Sequence, residues 1–166
     1  MIDGIDVEIL KILQQNARIS NAEIARKVGM APSAILERIR KLEGRGVIQG
    51  YEARIDPAAL GLHLLAFVFV RSDELAGEAQ TAQELARIPE VQEVHHIAGE
   101  DCFLLKVRVT DPKSLSRLLR EGLGKGQGIR STRTTIVLET ALESARLPVT
   151  AVGATAKLEV LHADQR

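Results

Sequence analysis

The stretch EIARKVGMAPSAILERIRKLE, residues 23–43, reads as two short amphipathic helices broken at Gly29 and restarted at Pro32. Ser20 with Glu23 three positions later is a capping box, each side chain bonding the other's backbone N–H, and it predicts a helix running to Val28. Gly29 takes the left-handed conformation that stops a helix, and Pro32 suits the first turn of the next, where its missing N–H costs nothing. In that next helix Ile35, Ile39 and Leu42 fall at i, i+4 and i+7. They predict a buried stripe, leaving Ser33, Ala34, Glu37, Arg38, Arg40 and Lys41 toward solvent or a partner. A short capped helix, a tight turn and a basic helix form a helix-turn-helix, whose second helix lies in the DNA major groove.

Upstream, Ile5, Ile9, Ile12 and Leu13 recur at helical spacing and predict a first helix that starts after Asp3 or Asp6 and ends near Asn16. Downstream, GRGVIQGYEARID, residues 44–56, sets Val47, Ile48 and Tyr51 among glycines. It predicts a turn and an extended strand serving as a wing or linker, with a boundary at Asp56-Pro57.

Net charge is zero, yet residues 18–54 carry eight basic side chains against four acidic, whereas residues 65–145 carry ten against twelve. A basic module thus precedes a mildly acidic one. The 45% apolar and 27% charged content is that of a globular chain, not a disordered or collagen-like one. The longest apolar run, residues 62–70, contains His63 and is far too short to span a bilayer. The N-terminus lacks a basic region followed by an apolar one, so a cytoplasmic protein is expected. Cys102 is the only cysteine, which excludes an intramolecular disulfide.

Beyond residue 62 the periodicity changes. Residues 64–71 read as a buried strand, 74–88 as a helix, 91–97 as a strand and 102–109 as another, in which Phe103, Leu105, Val107 and Val109 alternate with Leu104, Lys106 and Arg108. Asp111-Pro112 caps a helix carrying Leu115, Leu118 and Leu119, and after the glycine-rich GLGKGQG, residues 122–128, a last strand spans 129–139. The order β-α-β-β-α-β predicts a ferredoxin-like antiparallel sheet covered on one face by two helices.

Chemistry is sparse. His63, His95, His96, His162 and Cys102 show no metal-ligand spacing, and adjacent His95 and His96 in one strand point to opposite faces, so no metal site is expected. GLGKGQG follows a helix and precedes a strand, the reverse of a phosphate-binding loop. No nucleophile elbow or triad pattern is present, so catalytic residues and an enzyme are not expected. AGEDCFLL, residues 98–105, places Gly99, Glu100, Asp101 and Cys102 in a tight connection, and RSTRTTIV, residues 130–137, is read as placing Arg130, Thr132 and Thr134 on one strand face. Together these groups offer what a zwitterion needs: carboxylates for its ammonium, and hydroxyls and a guanidinium for its carboxylate.

Taken together, IDVEILKILQQNARISNAEIARKVGMAPSAILERIRKLEGRGVIQGYEARIDPAALG, AGEDCFLLKVRV and STRTTIVLE resemble the Lrp/AsnC, or feast/famine, transcription regulators from about Ile5 to Arg146. The resemblance implies an α+β chain, a winged helix-turn-helix domain followed by a ferredoxin-like regulatory domain. It also implies dimers assembling into octamers or other rings, and an amino-acid effector held where dimers meet. The family's effector loop often reads Gly-Asp-aromatic-Asp-aromatic, and here Cys102 stands at the second Asp. Expected domains are 1–50 for DNA binding, 51–62 as linker, 63–146 for effector binding and oligomerisation, and 147–166 as an extension. Ser33, Ala34, Glu37 and Arg38 are expected to reach base edges of double-stranded operator DNA, and Arg40, Lys41, Lys27 and Arg45 its phosphates. Gly99, Glu100, Asp101, Cys102, Arg130, Thr132 and Thr134 are expected to line the effector site, with no cofactor. Two rival readings are an architectural DNA-binding protein without an effector and a small-molecule-sensing subunit of a metabolic enzyme.

Overall fold

The computed structural model describes residues 2–72, 80–99, 101–124 and 128–149. The chain divides into two compact units, one reaching to Ala53 and joined by the described residues from Ser144 onward, the other Arg54–Glu143. The first break falls inside the expected linker. The second comes at Glu143 and not at Arg146, because Leu147 is tied to the helical unit: its N–H donates to the Gln14 Oε1 at 2.7 Å and its carbonyl accepts from the Gln14 Nε2 at 3.1 Å.

The first unit holds α1 (Gly4–Gln15), α2 (Asn21–Val28) and α3 (Pro32–Gly44). Asp3 and Asp6 form a capping box on α1, and Ser20 and Glu23 form one on α2. The Ser20 backbone N–H, foremost, holds the Glu23 carboxyl below the usual glutamate range. Gly29 closes α2 at φ +75°, and Pro32 opens α3. Ile9, Ile24, Ala25, Ile35, Ile39 and Leu42 are buried together, with Ile5, Ile12, Leu13 and Val28 around them.

Val47 and Ile48 turn back onto this same core, both N–H groups donating to the Leu42 carbonyl. Residues 49–56 join no strand ladder, so the stretch read as a wing or linker contributes no paired wing strand. Tyr51 instead donates its hydroxyl to Glu43 at 3.0 Å. Partial burial, then this carboxylate, pushes the phenol above its usual value.

One guanidinium ties α3 to the start of α1. Arg38 Nη1 donates to Asp3 Oδ2 and to Asp6 Oδ1, each at 2.7 Å, and Asp6 is a buried carboxylate. The backbone N–H of Asp6 first, and Arg38 next, hold the Asp3 carboxyl below the usual aspartate range.

The second unit is a four-stranded antiparallel sheet in the order β2-β3-β1-β4, built from β1 (Leu64–Ser72), β2 (Val91–His96), β3 (Phe103–Val109) and β4 (Ile129–Ile136). Helix α4 (Gln80–Leu85) lies by β2 and α5 (Pro112–Arg117) by β3. Residues 74–79 of the helix expected over 74–88 lie outside the described residues. Ala66, Val68 and Val70 of β1 and the odd-numbered residues of β3 form the core with Leu85, Leu115, Leu118 and Leu123.

After α5 the chain widens into a π-helical turn, Leu118–Leu123, closed by the Gly124 N–H on the Leu119 carbonyl. A Cβ on Gly124 would lie 2.7 Å from the Arg120 carbonyl oxygen, so this turn requires glycine. Strand periodicity sends alternate residues to the opposite face, where Glu93, Lys106 and Arg108 meet Glu143. Lys106 pairs with both glutamates, and Arg108 donates to Glu143 at 2.9 Å.

Arg38→Ala leaves the buried Asp6 carboxylate without its cation, and we expect it to cost about 2 kcal/mol. Hydrogen exchange should quicken across α1 while β3 stays unchanged. Lys106, foremost, holds the Glu143 carboxyl below the glutamate range, and His95 and then Lys106 do so for Glu93. Carboxyls with folded values below their unfolded ones stabilise fully at neutral pH and lose that contribution as pH falls through the folded values. The denaturant midpoint of the sheet unit is therefore expected to hold above about pH 5 and to drop as pH falls below it, through the lowered folded values of these carboxyls. Glu143→Gln should flatten that slope, and an unchanged slope would exclude the pair as its source.

Candidate DNA interface and ligand turn

Helix α3 buries Ile35, Ile39 and Leu42, and helical geometry sends the residues between them outward. Ser33, Glu37, Arg40 and Lys41 are exposed, and Arg40 and Lys41 form no ion pair among the described residues. Ala34 is half-buried on the flank of the helix. Lys27 sits exposed in the last turn of α2 and Arg45 is exposed as the C-cap of α3, so cations stand at the C-terminal ends of both helices, where the helix dipole favours them.

Arg38 differs from the other expected residues in having carboxylate partners. Its guanidinium is spent on Asp3 and Asp6, and the hydrogen bonds from it to Asp3 and then to Asp6 raise its own proton affinity. It ties the middle of α3 to the start of α1 within the three-helix unit. Leu36 is the residue that the sequence reading missed: a large apolar side chain, 36% exposed, on the outward face of α3. Its step of one residue from Ile35 was the available signal.

In the second unit Gly99 has φ +145°, a backbone conformation that favours glycine. Glu100 lies outside the described residues. The Asp101 carboxylate accepts from Arg133 Nη2 at 3.0 Å, and the Arg133 guanidinium sits 3.9 Å from the centroid of the Phe69 ring. Arg133, which was not among the expected residues, therefore links the turn to the sheet.

Cys102 turns the other way and packs against the core. Its Sγ accepts from the Ser72 N–H at 3.4 Å and donates to the Ser72 carbonyl at 3.5 Å.

Thr132 and Thr134 pair with Val70 and Val68 and so share the helix-covered side, opposite Arg133. Arg130 does not simply continue their face. Ser72 pairs with Ile129 while Arg71 pairs with Ser131, so Arg130 is the extra residue of a bulge. His95 and His96 do fall on opposite faces, His95 with Glu93 and His96 with Phe103. Among the described residues no helix is long and apolar enough to cross a membrane.

This architecture has relatives. Residues 2–43 match the family model of the AsnC-type helix-turn-helix domain, and residues 65–147 that of the Lrp/AsnC ligand binding domain. The leucine-responsive regulatory protein of Escherichia coli K12 is 39% identical over 150 residues, covering 89% of this chain and 92% of that one. Among solved structures, the feast or famine regulatory protein Rv3291c of M. tuberculosis complexed with L-methionine is 35% identical with a TM-score of 0.82, covering 90% of this chain and 100% of that one. The transcriptional regulator NMB0573 of Neisseria meningitidis, also an L-methionine complex, is 29% identical with a TM-score of 0.82, covering 89% and 97%. These matches do not favour the architectural and enzyme-subunit readings, and with a helix-turn-helix unit joined to a four-stranded antiparallel domain the chain belongs to the Lrp/AsnC family of transcription regulators.

Proposed function

We propose that the chain binds operator DNA as a symmetric homodimer, within an octamer or other ring, through the exposed stripe Ser33, Glu37, Arg40 and Lys41, and that an amino acid modulates that binding. The observation that carries this reading is the stripe itself: polar and basic groups on the helix whose other face is the domain core. Ser33 and Glu37 lie where base edges are reached, with Ala34 beside them, while Arg40, Lys41, Lys27 and Arg45 serve phosphates. A cytoplasmic, non-catalytic protein follows from that role.

Assembly has its own support. The sheet face opposite the helices carries Phe67, Phe69 and Leu104, half-buried, and the chain leaving β4 exposes Leu138 and Leu142 almost fully. A sheet with helices on one side only buries such a face against another layer, and a second copy supplies it with two-fold symmetry. The effector then sits where the Gly99–Cys102 turn of one chain meets the Thr132 and Thr134 side of β4, with Arg130, in another. Asp101 or Glu100 would take the ammonium, and threonine hydroxyls and backbone N–H groups the carboxylate. The L-methionine complexes of the two relatives support an amino acid as the ligand class. Such a ligand shifts assembly or DNA affinity only through unequal affinity for the alternative states.

The deciding experiment is a titration of DNA binding by the full chain with L-methionine, L-leucine and the other standard amino acids, with sedimentation in parallel. DNA affinity that no amino acid alters would refute the effector reading. Lys41→Ala is expected to weaken all sequences and lower the log–log salt slope by about one, whereas Glu37→Ala relaxes base preference and leaves the slope intact. Equal loss on every sequence from both would refute the division of labour along α3. Leu138→Glu with Leu142→Glu, at positions already exposed in the single chain, should shift sedimentation from dimer or larger toward monomer.

A further inference from the structure

Helices α1, α2 and α3 turn their large apolar side chains inward, fully or partly buried, with one exception. Among the described residues of α1, α2 and α3, Leu36 is the only large apolar side chain left exposed. Pro32, one turn earlier, is exposed as well. Residues at i and i+4 stand one above the other on a helix face, so Pro32 and Leu36 form an apolar step that gives way to Arg40. The parallel line is Ser33, Glu37 and Lys41. The outward face of α3 is therefore polar on one side and apolar then cationic on the other.

A lone exposed leucine on an arbitrary helix needs no explanation. Position decides here. Leu36 lies level with Glu37, between Ser33 at the start of the stripe and Arg40 one turn on. Arg38, the remaining neighbour, is held by Asp3 and Asp6. In the major groove a glutamate accepts from the cytosine amino group, and the distinctive apolar group of an unmodified base pair is the 5-methyl of thymine. A branched apolar side chain meets that methyl and rejects the polar edge of other pairs by failing to satisfy it.

We infer that Leu36 is a specificity-determining residue that reads one thymine methyl group in each operator half-site. The inference rests on α3 being the DNA-reading helix. Removing one methyl from such a contact lowers affinity by about fourfold, the worth of one buried carbon group.

The test begins with selection from a random duplex library by the full chain and by Leu36→Ala. In the enriched site each thymine is then replaced in turn by deoxyuridine, which removes the methyl and nothing else. We expect one thymine per half-site whose replacement weakens the unaltered protein about fourfold and leaves Leu36→Ala unaffected, with the base preference at that position relaxed in the variant's own selection. The inference is overturned if no replacement weakens the unaltered protein, or if both proteins lose equally at every position. Sequence-specific binding that is indifferent to deoxyuridine removes only the role of Leu36. A selection that enriches no sequence with either protein removes the DNA reading as well. The deoxyuridine series on the unaltered protein does not depend on how the variant folds.

Discussion

The guanidinium of Arg38 sits between two carboxylates that themselves cap the first helix, and it ties that helix to α3 beside the apolar core that packs the unit. Asp3 and Asp6 face each other across the α1 N-terminus as a capping box, which places two negative groups within one turn. Like charges so close are stable when a cation lies between them, and Arg38 supplies it from the middle of α3. The helix that carries Ser33, Glu37, Arg40 and Lys41 is thereby fixed to the start of the chain by a charged contact as well as by the packing of Ile35 and Ile39. A reading helix must present its side chains in a fixed orientation, since hydrogen bonds to base edges weaken steeply with misalignment. The ion-paired Arg38 and the exposed stripe thus share one helix, Arg38 following Glu37 by a single residue step.

The regulatory unit solves a different problem, that of holding a turn in place without burying it. Gly99 allows the backbone to reverse, Cys102 anchors its far side to the Ser72 backbone, and Asp101 reaches Arg133 on β4. Phe69 beneath the guanidinium adds a cation–π contact that a lysine would match poorly, because the flat guanidinium stacks on a ring. The turn is therefore attached to both sides of the sheet at once.

Local signals in the sequence were legible where the cause is local. Ser20 with Glu23, Gly29 and Pro32 act within one or two helical turns, and each element boundary they imply is found in α2 and α3. The alternation in residues 103–109 likewise reports a strand with one buried face, and the four-stranded antiparallel sheet follows. What stayed hidden depends on partners far away in the chain. Arg38 read as a surface cation because its carboxylates lie 32 and 35 residues earlier. Arg130, Thr132 and Thr134 read as one face because strict alternation was applied across a bulge whose origin is the pairing with Arg71 and Ser72. The π-helical turn at Leu118–Leu123 left no periodic trace, since one added residue per turn shifts the pattern only within a single short helix.

The register shifts have one more consequence. Strands β2 and β4 border the sheet, and each meets its inner neighbour through an irregularity, between Val91 and Glu93 on one side and between Arg71 and Ser72 on the other. Unpaired N–H and C=O groups along a border invite further strands, and bulges with charged side chains are how folded proteins discourage that. With Glu93 and His95 along β2 and Arg130 and Arg133 along β4, lateral growth into an open-ended ribbon of chains is disfavoured. The two borders of the sheet are thereby poor templates for a further strand, and the edge-to-edge contact that feeds fibrous aggregation is closed off by the same irregularities that set the register.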